Sequence, residues 1–156
     1  ELPGINEVLE IGKGRIIKKG RQVAIINFGG RLEECKKASD ILISKGINIT
    51  IIDARFAKPL DEQLIMEVAT NHEVVISIEE GSVGGFGSHV MQLLSNKGVF
   101  DRGVKFRSMI LPDLFIEQDN PKKMYEKAGL DSQSIVNKIE ETLSSNIIFA
   151  KSKNKN

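Results

Sequence analysis

A chain of 156 residues, 40% hydrophobic and 28% charged, has the size and make-up of one soluble globular domain with a core of its own. Its 22 Lys and Arg against 21 Asp and Glu leave a formal net charge of +1, which argues for neither a nucleic-acid nor a membrane partner. The longest apolar runs, residues 47–52 and 74–78, are strand-sized and far too short to span a bilayer. No secretory leader is visible at Glu1-Leu2-Pro3-Gly4, and a single cysteine, Cys35, cannot make an internal disulfide; a reducing, cytoplasmic setting is expected. Because the chain opens on Glu rather than Met, a piece of a longer polypeptide is the expectation.

Residues 1–11 read as a lead-in carrying Pro3 and Gly4. Gly12-Lys13-Gly14 precedes a short strand, residues 15–19, and Gly20-Arg21 turns the chain into an almost wholly apolar strand, residues 23–28, of the kind buried on both faces. The short link predicts a hairpin, with the lysine-bearing first strand as an antiparallel edge. Gly29-Gly30 opens a helix over residues 31–45, whose Leu32, Cys35, Ala38, Ile41 and Leu42 share one face. Glu33 and Glu34 in its first turn, Lys45 in its last and Gly46 beyond suit the helix dipole and its C-terminal stop. Cys35 belongs to the buried stripe and is read as packing rather than as a nucleophile.

Residues 47–52 predict a third strand and residues 60–68 a helix capped by Asp61 or a neighbour. The strand at 74–78 ends in Glu79-Glu80. A glycine-rich loop, Gly81 to Ser88, leads to a helix through His89, Val90, Leu93 and Leu94 that stops at Gly98. Residues 104–110 give the last strand and residues 111–116 an irregular, apolar-rich exit. Asn120-Pro121 starts a short helix, and Asp131 caps a final one carrying Ile135, Val136, Ile139 and Leu143. Strands alternating with helices predict a three-layer α/β/α sandwich. Its sheet has about five strands, mostly parallel, with one antiparallel edge. The domain is expected over residues 12–148, with a frayed polar tail at 149–156.

The chemistry concentrates at strand ends. Arg55 follows the third strand, where open α/β sheets place ligand contacts, and its guanidinium suits a carboxylate or phosphate. An ion pair with Asp53 or Asp61 explains the same residue without a ligand. The loop at 81–88 lacks the dinucleotide-binding glycine register and the lysine of a phosphate-binding loop. Amides at a helix start can hold an anion, but the preferred reading is that small residues let the loop pass close to a neighbour. Glu79 and Glu80 suit acid–base work, capping or salt bridges. His72 is expected to cap a helix end or face solvent, and His89 to be neutral or exposed. No metal-ligand spacing and no nucleophile elbow are present.

Four stretches, taken together, resemble one family. They are Glu10-Ile11-Gly12-Lys13-Gly14-Arg15, Asp53-Ala54-Arg55-Phe56-Ala57-Lys58-Pro59-Leu60-Asp61, Glu79-Glu80 with Gly84-Gly85-Phe86-Gly87-Ser88, and Leu111-Pro112-Asp113-Leu114-Phe115-Ile116-Glu117-Gln118. In this order, from residue 11 to residue 143, they resemble the carboxy-terminal, transketolase C-terminal-like domain of 1-deoxy-D-xylulose-5-phosphate synthase. The glutamate pair and glycine loop also occur in transketolases and 2-oxo acid dehydrogenase subunits; the second and fourth stretches point to the synthase.

The resemblance implies an enzyme that condenses pyruvate with glyceraldehyde 3-phosphate, losing CO2, on the way to isoprenoid precursors, thiamine and pyridoxal phosphate. Thiamine diphosphate and Mg²⁺ serve the full-length enzyme, a homodimer. Upstream domains of the same polypeptide carry the cofactor-binding signature and catalytic histidines, which are absent here. By itself this domain is expected to bind no cofactor and to be inactive. The arginine of the Arg-Phe-x-Lys-Pro stretch, here Arg55, is implied to bind the aldehyde's phosphate; Lys58 has no matched role. The other readings are the same domain of another thiamine diphosphate enzyme, or a free-standing ligand-binding or interaction module. A domain cut from a larger enzyme also predicts an exposed apolar patch near the glycine loop and residues 111–116.

Overall fold

Two nearly all-apolar segments make the centre of the sheet. β2 (Val23–Phe28) and β4 (Val74–Glu79) pair in parallel, from Val23 opposite Val74 to Phe28 opposite Glu79. Helices cover both faces, so both are largely apolar. The computed structural model describes residues 8–153, with side chains through residue 145, so residues 1–7 of the expected lead-in and 154–156 of the tail lie outside it. β3 (Thr50–Asp53) lies parallel on the other side of β2, and β5 (Lys105–Met109) parallel to β4. β1 (Arg15–Lys18) completes the order β1-β3-β2-β4-β5 and is the antiparallel member.

The five strands and the antiparallel edge are as expected; the hairpin is not. β1 pairs with β3, not with β2, placing Arg15 opposite Asp53 and Ile16 opposite Ile52. The link between β1 and β2 crosses the start of β3: Gly20 N–H donates to Thr50 Oγ1 at 2.9 Å and Arg21 N–H to the Asn48 carbonyl at 2.8 Å. A Cβ on Gly20 would come within 2.3 Å of the Ile49 carbonyl carbon, so no other residue fits that crossing. A short link therefore need not join neighbours.

Helices α1 (Leu32–Ser44), α2 (Glu62–Asn71), α3 (Phe86–Asn96), α4 (Pro121–Lys127) and α5 (Ser132–Lys153) follow the strands, with one 3₁₀ turn at Phe100–Arg102. Successive β2 residues alternate between two cores. Val23 and Ile25 join Cys35, Ala38 and Leu42 of α1 and Ile135, Val136 and Ile139 of α5. Ala24 and Ile26 join Ile65, Val68 and Ala69 of α2 and Val90, Leu93 and Leu94 of α3. Full burial of each such Ile is worth about 1.5–3 kcal/mol, so Ile25→Ala, at a site with no exposure, would cost about 2–5 kcal/mol.

The helix ends follow their side chains. Asp61 Oδ1 accepts Leu64 N–H at 3.1 Å, Asn120 Oδ1 accepts Lys123 N–H at 3.0 Å ahead of Pro121, and Asp131 Oδ1 accepts Ser134 N–H at 3.2 Å. The α5 backbone runs past residue 148, where composition placed the domain's end. No helix among the described residues is long and apolar enough to cross a membrane.

Candidate functional site

From β2 the chain passes through α1 to β3, and from β3 through α2 back across to β4. These two crossovers pack on opposite faces, which makes the carboxyl ends of β2 and β4 the topological switch point, the usual ligand crevice of such sheets. Here the chain's own groups occupy it. Glu80 Oε2 accepts Gly30 N–H at 2.9 Å, while Oε1 accepts the Tyr125 hydroxyl at 2.8 Å and Arg31 Nε–H at 3.0 Å. Arg31 also lies 3.5 Å over the Tyr125 ring, a cation–π contact. Burial raises the pKa of Glu80, but the Gly30 amide, the Tyr125 hydroxyl and the Arg31 charge outweigh it and hold the carboxyl below its ordinary value. The hydrogen bond to Glu80 in turn raises Tyr125. Beneath them Asn27, with no exposure, donates Nδ2–H to the Gly29 carbonyl at 3.1 Å, and its Oδ1 has no partner.

The adjoining glycine-rich loop is likewise closed by an internal anion. Glu79, 4% exposed, accepts Phe86 N–H at 2.9 Å and Gly87 N–H at 2.8 Å, the first amides of α3. A Cβ at Gly85 would sit 2.5 Å from Glu79 Oε2, so the loop is small because it folds around that carboxylate. The close-approach reading of the loop holds, and the close neighbour is Glu79. The amides that could cradle a diphosphate are spent on it. Among the described residues no cluster of three His, Cys, Asp or Glu could hold a metal. The loop residues, closed on Glu79, do not fit a thiamine diphosphate–Mg²⁺ group.

Arg55 stands just past β3. It is half-buried, has φ 59°, and makes no hydrogen bond or ion pair among the described residues. The two acids that offered it an ion pair are engaged elsewhere: Asp53 pairs with Arg15 at 3.0 Å, and Asp61 accepts the Gly14 amide at 3.1 Å besides capping α2. The stretch continues through a cis Lys58–Pro59 peptide. A shallow cleft of about 340 Å³ beside it is lined by Lys58, Pro59 and His89, among others; Arg55 is not part of its wall.

His72 caps α2 as expected, with Nδ1 2.8 Å from the Val68 carbonyl and Nε2 2.8 Å from Thr50 Oγ1. An Nδ1–H tautomer satisfies both contacts, the Thr50 hydroxyl donating to Nε2. Cys35 lies in the core, and burial pushes its thiol up to about 12. Val83, Leu114 and Phe115 are 80%, 64% and 95% exposed, and the two segments that carry them are joined by Leu111 N–H to the Gly81 carbonyl at 2.8 Å. Arg31 and Tyr125 went unmarked in the sequence because they lie far from Glu80 along the chain. The one usable signal is the Glu79-Glu80 pair at one strand end and Gly29-Gly30 at another.

These features define a doubly wound α/β domain whose central crevice is bridged by its own side chains. The transketolase C-terminal domain family matches residues 12–135, and this chain belongs to that family. A split-gene transketolase, described as an inactive β4 tetramer, is 27% identical with a TM-score of 0.81, over 92% of this chain and 46% of that one. The transketolase of Campylobacter jejuni, at 16% identity and TM-score 0.60, covers 83% of this chain and 18% of its own. A mutant transketolase from Pichia stipitis, described as a complex with xylulose 5-phosphate, is 10% identical with TM-score 0.60, over 85% and 18%. The chain thus spans less than half the length of each of these proteins.

Proposed function

We propose that this chain serves as the carboxy-terminal domain of a 1-deoxy-D-xylulose-5-phosphate synthase, and that Arg55 holds the phosphate of glyceraldehyde 3-phosphate. The observation that carries the reading is an arginine past a strand end, half-buried, strained and without a partner among the described residues, in the stretch that resembles the synthase. Strain of this kind is kept where it has a use. Thiamine diphosphate and Mg²⁺ belong, in this reading, to upstream domains of the same polypeptide, and this domain contributes Arg55 and interdomain contacts. The exposed Val83, Leu114 and Phe115 are offered to those domains or to the second subunit of a homodimer.

The test is steady-state kinetics on the complete enzyme with Arg55→Ala. A charge-assisted contact is worth about 1.5–3 kcal/mol, so the KM for glyceraldehyde 3-phosphate should rise about one to two decades while that for pyruvate stays. An unchanged KM for the aldehyde phosphate would defeat the proposal.

A second reading, a transketolase proper, is favoured by the 27% identity to the split-gene protein over 92% of this chain. Assaying the complete enzyme with pyruvate and with a ketose phosphate as alternative donors separates the two.

A further inference from the structure

We infer that residues 14 and 15 form a clamp that keeps Arg55 free, and that Arg15 is a positioning residue for it. The inference rests on the reading of Arg55 as a phosphate anchor. The two acids nearest Arg55 in sequence, Asp53 and Asp61, are held by consecutive residues of one segment. Gly14 N–H donates to Asp61 Oδ2 at 3.1 Å, and Arg15 Nε–H donates to Asp53 Oδ2 at 3.0 Å. The pairing of β1 with β3 puts them there, since it sets Arg15 opposite Asp53.

Asp53 is the acid that decides the matter. Its side chain is 15% exposed against 37% for Arg15, so loss of Arg15 would strand a largely buried carboxylate. Arg55, two residues on and without a partner among the described residues, is the nearest uncommitted cation in sequence. It would turn to Asp53, and an incoming phosphate would then have to compete with an internal carboxylate. With Arg15 in place the guanidinium keeps its charge uncompensated for an external anion. Arg15 acts through Asp53 and need not touch the substrate.

The Arg55 Nε–Hε resonance reads this directly, by NMR on the chain during titration with inorganic phosphate. In phosphate-free buffer, Arg15→Gln should shift that resonance as Arg55 pairs with Asp53, and adding Asp53→Asn should return it to the wild-type position. Loss of one partly exposed ion pair's worth of bias should weaken phosphate binding by about two- to fivefold in Arg15→Gln, with recovery in the double variant. A resonance that ignores Arg15→Gln, or a double variant that stays as weak as the single, overturns the clamp. A wild-type Arg55 that ignores phosphate instead overturns the anchor reading, while the phosphate-free comparison still judges the clamp. Should Arg15→Gln alone fail to fold, the double variant, which strands no charge, must match the wild type in both resonance and affinity; a mismatch rejects the inference.

Discussion

Arg31 and Glu80 meet at 3.0 Å across the carboxyl ends of β2 and β4, with Tyr125 closing the third side. Position 31 is the N-cap of α1 and position 80 directly follows β4, so the pair ties a helix start to a strand end that hydrogen bonding within the sheet does not reach. In many folds of this class a ligand does that work; here a side-chain network does.

Acid should loosen this network. Glu80 is held below its ordinary value of 4.5, so the unfolded chain binds the proton more readily than the folded one. The stabilisation is complete above the ordinary value and is lost as pH falls through the lower folded-state value. Glu80→Gln should lower stability by about 1–2 kcal/mol at neutral pH and flatten the acid limb of a urea-midpoint profile. A variant with the wild-type acid limb would show that Glu80 does not carry it.

Gly85→Ala puts a methyl group 2.5 Å from the Glu79 carboxylate. Overpacking of that sort costs about 1–3 kcal/mol, and it should also loosen the Phe86 and Gly87 amides. Amide hydrogen exchange at the start of α3 is the readout: exchange there should quicken more than at the centre of β2. Uniform or absent change would mean the loop has slack.

Cys35 should be silent to thiol reagents in the folded state. Its thiol is buried with a pKa pushed up to about 12, and only the thiolate reacts quickly. Modification by a disulfide reagent at pH 8 should follow global unfolding, with a rate that rises in denaturant as the folded fraction falls. Fast labelling of the native chain would place the thiol nearer the surface than the core.

Position 55 should show a conflict between stability and binding. A left-handed conformation costs a residue with a Cβ about 1–2 kcal/mol, and Arg55 adopts it at φ 59°. Arg55→Gly should therefore be about 1 kcal/mol more stable than Arg55→Ala, once glycine's larger unfolded-state entropy is deducted. Neither should bind phosphate like the wild type. Equal melting points for the two would argue that the strain is absorbed by the neighbouring backbone.

What could be read from the residues followed range along the chain. Asp61, Asn120 and Asp131 cap through bonds three residues long, and each was legible from position alone. The alternation of β2 between two cores, and the helical stripe of Cys35, Ala38 and Leu42, are likewise local patterns. The partner of β1 was not legible, because link length speaks to distance along the chain and not to the crossing over Ile49 that Gly20 permits. The Glu80–Arg31–Tyr125 network was hidden for the same reason. Arg55 is legible as a candidate from its place after a strand, but the engagement of Asp53 by Arg15, 38 positions away in sequence, is not.

The antiparallel edge gives the sheet a detachable hem. Without β1, the parallel strands β3, β2, β4 and β5 would keep both cores largely intact, and the bare side of β3 would face water. An uncovered strand of that kind recruits another chain. One short segment thus covers the open edge of β3 and, under the clamp inferred above, sets the charge balance around Arg55; damage to it should surface as self-association together with weakened phosphate binding.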